Sequence, residues 1–289
     1  MVYFLGLLSA LTFALGLTLQ QRGTLETAAP EGDDRFLRQI LGKPVWLVGC
    51  VMLFAGWLFQ AAALDHGSLA LVQALQALSL VFALPLGIWL TKQRVGLRSA
   101  GGALTTLAGI IVLVTVGQPR GGVSAPAAIA WWVAGAVILF LIAGLVLVAR
   151  PLRGSMSAAL YGTAAGLAFA FQAASTKMLV IQFGRGWTTI FWHWPLYLFI
   201  VAEVVGFTLQ QAALKCGCLA PATAALNAAT LAASVIMGVA VFRESFSGGP
   251  LHLAAALAGL VIAIAGVVTL ASSGIRTAAT SAGKAPGAG

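Results

Sequence analysis

Charge is scarce in this chain, and acid is scarcer than base. Its 289 residues hold 16 Lys and Arg but only 7 Asp and Glu, and charged side chains make up 8% of the total. A soluble domain carries about 25% charged residues, so this composition cannot clothe an ordinary water-exposed surface. Cys50, Cys216 and Cys218 are too few for a disulfide framework. The pair Cys216-Gly-Cys218 has no His or further Cys beside it, which falls short of a metal ligand set. No Gly-x-x-x-x-Gly-Lys-Ser/Thr loop is present, which argues against an ATP-driven pump. Neither a nucleophile elbow nor a His-Glu-x-x-His motif occurs, so no enzyme and no cofactor are expected. The net charge of +9 comes without a basic stripe interleaved with aromatics, and nucleic acid is not an expected partner.

What fills the chain instead is hydrocarbon. Hydrophobic residues reach 60% and the mean hydropathy is +1.00. Backbone N–H and C=O groups inside a bilayer must pair within their own segment, so apolar runs of about 20 residues become helices. The short alternating segments of a β-barrel are missing. Nine such runs are predicted, near residues 2–21, 45–64, 68–91, 98–117, 127–149, 157–181, 188–213, 219–242 and 251–272. The expected fold is therefore an all-α polytopic membrane protein, with lipid as its first partner.

The chain also nearly repeats itself. Gln60-Ala-Ala-Ala-Leu-Asp-His-Gly-Ser-Leu-Ala70 returns as Gln210-Gln-Ala-Ala-Leu-Lys-Cys-Gly-Cys-Leu-Ala220, and Leu11-Thr-Phe-Ala14 matches Leu167-Ala-Phe-Ala170. The first repeat covers residues 1–117 and the second 157–272; residues 127–149 form a linking helix and 273–289 a disordered tail. Equivalent helices stand five places apart in the order of spans, an odd offset, so the halves are inverted in a 4+1+4 arrangement. Two inverted halves that rock about a midplane site are a common carrier design.

Basic residues set the orientation. Arg22, Arg35, Arg38, Lys43, Lys92, Arg94, Arg98, Arg150, Arg153 and Lys215 fall in connections on one side, and Arg120, Arg185 and Arg243 on the other. The positive-inside rule then puts the N-terminus outside and the C-terminus in the cytoplasm, in a bacterial cytoplasmic membrane. Within the first inner loop, residues 33–41 place Phe36, Leu37, Ile40 and Leu41 on one face of an expected interfacial helix.

Several side chains are candidates for function. Glu203 stands at the middle of the seventh span, where an ionised carboxylate costs on the order of 3 kcal/mol and calls for a partner or a wet cavity. It suits a cationic substrate or a coupling proton. Gln73 and Gln76 share a face of the third span, Thr223 and Asn227 occupy related places on the eighth, and Gln172 with Ser175 and Thr176 lies on the sixth. These neutral groups either line a cavity or bond helices together. Lys177 and His193 are candidates for an outer gate; the competing readings are a snorkelling lysine and, between Trp192 and Trp194, an aromatic belt. Asp65-His66 is an incomplete metal pair, better suited to a solvated turn.

Further motifs add a family likeness. Trp46-Leu-Val-Gly49, the Ala-Leu-Asp-His-Gly-Ser-Leu-Ala connection, Leu71-Val-Gln-Ala-Leu-Gln-Ala-Leu-Ser79 and the Gly-rich last helix of each half stand in order along the chain. Val241-Phe-Arg-Glu-Ser245 looks like the acidic turn that precedes the final helix in such repeats. Together these resemble the drug/metabolite transporter superfamily, in its EamA/NIPA-like branch. The likeness spans nearly the whole chain. It implies a secondary carrier for a small organic molecule, with proton exchange as candidate coupling, or a magnesium carrier of the NIPA type. The chain departs from the pattern at Ala74-Leu75-Gln76, where Pro-Leu-Gly is usual, and at Lys92-Gln-Arg94, where an acid is usual. A non-transporting partner of envelope proteins is the reading from another class, and a homodimer is an admissible assembly.

Overall fold

The computed structural model describes residues 1–25, 42–91, 96–120, 122–123, 126–184, 186, 188–216, 219–246 and 249–282. Nine long helices dominate it: α1 (Val2–Leu25), α2 (Pro44–His66), α3 (Leu69–Thr91), α4 (Leu97–Thr115), α5 (Ala128–Ala149), α6 (Gly154–Phe183), α7 (Trp194–Lys215), α8 (Leu219–Ala240) and α9 (Pro250–Ala282). All nine are long and apolar enough to cross a bilayer, which makes this an integral membrane protein. A two-residue antiparallel ribbon joins β1 (Pro119–Arg120) to β2 (Ser245–Phe246).

The packing follows the repeat. In the first half α1 packs on α2 and α3, and α3 on α4; in the second α6 packs on α7 and α8, and α8 on α9. The halves meet through like elements, α4 against α9 and α3 against α8. Glycine decides how near these helices come. A Cβ at Gly109 would run into the Ala263 backbone, and one at Gly259 would sit 2.8 Å from Gly109 O. The α4 and α9 backbones therefore touch, which only small residues permit.

Side-chain size sorts the centre from the rim. Helix α6 is rich in Ala, Gly, Ser and Thr, and 78% of its membrane window is buried; for α5, with Trp132, Leu139 and Phe140 exposed, the share is 6%. Small side chains let neighbours close around α6, while the bulky apolar surface of α5 is fit for lipid.

Two boundaries differ from expectation. The segment expected as one helix over 188–213 contains a separate turn, Thr189–Trp192, before α7 begins at Trp194. Pro195, second in α7, lacks the N–H that would have tied the two together. At the C-terminal end, α9 runs to Ala282, so residues 273–282 are helical, contrary to the disordered tail expected there. The run Ala278-Ala-Thr-Ser-Ala282 favours helix, and the next proline comes only at Pro286. The interfacial helix expected at 33–41 lies outside the described residues.

Candidate functional site

Helix α3 begins inside the protein, so its first amides must find partners there. Ser68 serves two of them: its Oγ accepts from Leu71 N at 3.2 Å and its carbonyl from Val72 N at 3.1 Å. The other two go to a residue 174 or more positions away. Glu244 Oε1 accepts from Leu69 N at 2.5 Å, and Glu244 Oε2 from Ala70 N at 3.0 Å. Glu244 reaches this place because Arg243 takes a left-handed conformation (φ 53°), turning the chain back so that Glu244 N donates to Gly238 O at 2.9 Å.

The same carboxylate holds Lys177. Lys177 Nζ donates to Glu244 Oε1 at 2.6 Å, with the two side chains 8% and 1% exposed. The ammonium also lies 4.7 Å from the centre of the Phe242 ring, and Trp131 of α5 meets that ring edge-on at 5.8 Å. Ser68 Oγ bonds Pro119 O at 3.2 Å, which ties in the β1–β2 ribbon. One end of the bundle is thus knotted shut by α3, α5, α6, the α8–α9 turn and the ribbon.

Away from the ion pair the described residues of α3 and α8 are less buried. On α3, residues 69–75 are all buried, whereas residues 79–84 are all partly exposed. On α8 the order is reversed along the chain: residues 225–230 are all partly exposed, and most of 231–238 are buried. Six consecutive residues sweep every face of a helix. Partial exposure on all of them means that, among the described residues, no face of α3 or α8 is fully covered along these stretches. Burial along both helices therefore falls off away from the ion pair.

Against this geometry the sequence candidates divide. Gln76, Thr223 and Asn227 fall on the partly exposed stretches of α3 and α8. Gln76 Oε1 lies 3.1 Å from Ser9 Oγ, which also reaches Gly56 O at 2.7 Å, and Asn227 Nδ2 donates to Thr223 O at 2.8 Å. Gln73 and Gln172 are buried, and Gln172 Nε2 lies 3.4 Å from Thr176 Oγ1.

Others stand elsewhere. Glu203 is exposed on the rim of α7, beside exposed Val201, Val204 and Val205. It does not point into the bundle, in contrast to the inward acid expected at its depth. Lys177 is no snorkelling side chain, because Glu244 holds it in the interior. His193 is exposed between the Thr189–Trp192 turn and α7, with Trp192 and Trp194 exposed beside it. Asp65 and His66 form an exposed pair at 3.6 Å at the end of α2. Among the described residues no group of three or more His, Cys, Asp or Glu is placed to hold a metal ion.

Glu244 is the residue that sequence reading passed over as a site. It was visible as the acid of Val241-Phe-Arg-Glu-Ser245, but its partners lie on α3 and α6.

Comparison with known proteins adds kinship without function. The chain is similar to an uncharacterized protein of Corynebacterium glutamicum, 27% identical over 243 residues, which cover 83% of this chain and 84% of the relative. No family model matches the chain. No solved structure matches it either.

Proposed function

We propose that this protein is a secondary carrier that moves a small organic molecule across the membrane by alternating access. The observation that supports the reading is the uneven burial of an inverted-repeat bundle: a buried Lys177–Glu244 pair ties α3, α6 and the α8–α9 turn together, while the described residues of α3 and α8 become partly exposed away from it. Two halves related in this way can exchange roles, opening the sealed end as the open end closes. In this reading the space between the partly exposed stretches of α3 and α8 is a vestibule with its floor near the ion pair, and with the orientation that the basic loops favour it faces the cytoplasm.

A magnesium carrier is less well supported. Mg²⁺ is usually held by one or two carboxylates with retained waters. Among the described residues, Glu244 is committed to Lys177 and two amides, and Glu203 is on the rim.

Thiol accessibility tests the reading without knowledge of the substrate. In a background lacking Cys50, Cys216 and Cys218, single cysteines would replace Asn227 in the vestibule and Val72 at the sealed end. Oriented proteoliposomes would then be treated with an impermeant thiol reagent from each side. A carrier labels the Asn227→Cys thiol from the Lys92 side, and more slowly labels the Val72→Cys thiol from the opposite side. A Val72→Cys thiol that never reacts, under any condition that leaves Asn227→Cys reactive, favours a fixed scaffold.

A further inference from the structure

We infer that the floor of the vestibule is a binding site for an uncharged organic ligand bearing a hydrogen-bond-accepting oxygen, held by Gln73 Nε2 and Ser234 Oγ. The inference rests on the carrier reading and supplies its substrate class. Two buried polar atoms carry it. Gln73 is 5% exposed and Ser234 0%, yet neither Gln73 Nε2 nor Ser234 Oγ has a hydrogen-bond partner. Buried polar groups nearly always find partners, because leaving one unmade forfeits its hydration with no return. In a membrane bundle no bulk water stands by to make up the loss.

The two atoms sit at one depth. Helices α3 and α8 run antiparallel, with Ala70 beside Gly238. One turn along α3 from Ala70 brings Gln73 and Ala74, and one turn back along α8 from Gly238 brings Ser234. Helix α6 joins them, since Ala173, Ala174 and Met178 pack in one cluster with Leu69, Val72, Met237 and Val241. This level is where α3 and α8 pass from buried to partly exposed, directly inside the ion pair. It is therefore the deepest point that a solute entering the vestibule would reach.

The chemistry selects the ligand class. An amide N–H₂ donates only, and a hydroxyl both donates and accepts, so the pair suits an acceptor oxygen such as a carbonyl or hydroxyl. On the partly exposed stretches of α3 and α8 the polar side chains are Gln76, Ser79, Thr223, Asn227 and Thr230, all neutral. Lys177 and Glu244 neutralise each other, so at the level of Gln73 and Ser234 these side chains offer no net charge to an ion.

The test begins without a ligand. Ser234→Ala and Gln73→Met remove the orphaned atoms at nearly constant volume, so each purified variant should unfold at the wild-type temperature or about 2 °C above it. A drop of several degrees in both would show that these atoms have structural partners and would overturn the site. The second arm applies thermal-shift binding to a panel of small metabolites divided equally among uncharged, anionic and cationic members. Stabilising members should come from the uncharged group and lose their effect at least tenfold in both variants. Stabilisation by charged members alone, by none, or undiminished in the variants would overturn the assignment. These outcomes are independent of the accessibility experiment, so the site can fail while the carrier reading stands, and the reverse.

Discussion

Glu244 closes two accounts at once: its carboxylate caps the first two amides of α3 and neutralises Lys177 at 2.6 Å. An unpaired ammonium or carboxylate at this depth would be costly, and so would uncapped amides at a buried helix start. One residue from the α8–α9 turn meets both needs, which fastens the second half of the molecule to the first. The corresponding turn of the first half reads Lys92-Gln-Arg94 and carries no acid.

Removing one member of this pair should cost far more than removing both. Lys177→Met leaves Glu244 as a buried charge and should destabilise the protein by about 3–5 kcal/mol. Adding Glu244→Gln to it should recover part of that loss, with a coupling of roughly 1–3 kcal/mol. Thermal unfolding of the wild type, both single variants and the double variant in detergent gives the coupling directly. Additive losses would show that the two side chains do not depend on one another.

Gly238 should be intolerant of a side chain. A Cβ there would collide with Glu244 Oε2, and the carboxylate is held in place by three bonds, so it cannot swing aside freely. Gly238→Ala should lower the unfolding temperature and raise thiol labelling of Val72→Cys from the sealed end. Gly101→Ala is the control, since nothing lies within 4 Å of a Cβ at that position of α4. It should be neutral or gain up to about 1 kcal/mol from the better helix propensity of alanine.

The α4–α9 contact should fail with volume. Gly109→Val forces the Gly259–Ala263 backbone away and should cost about 1–3 kcal/mol or more, by the usual penalty for overpacking. Gly144→Ala on α5, where a Cβ meets nothing within 4 Å, should leave the unfolding temperature within a degree or two of wild type. Comparable losses at the two positions would mean that α4 and α9 are not in backbone contact.

Glu203→Gln should leave the vestibule untouched. The side chain is exposed on the rim of α7, so thiol labelling of Asn227→Cys and Val72→Cys should keep wild-type rates and sidedness. A change in sidedness would return Glu203 to the transport pathway and point to a partner helix seated against it.

Periodicity and length were enough to give the helices, because hydrocarbon permits few other backbones, and the duplicated connection was enough to give the inverted halves. Azimuth was not legible in the same way. Glu203 lies at the middle of an apolar run, which fixes its depth, but whether it faces the bundle or the rim depends on how α7 rotates against α6. Chain order likewise could not pair Lys177 with Glu244, 67 positions apart, or bring Glu244 to Leu69 across 175. The sequence by itself determined a nine-span bundle with a twofold plan, since both follow from local composition and repetition. Only the tertiary structure decided which end is shut, because closure depends on a carboxylate, an ammonium and two amides from three distant segments meeting at one point.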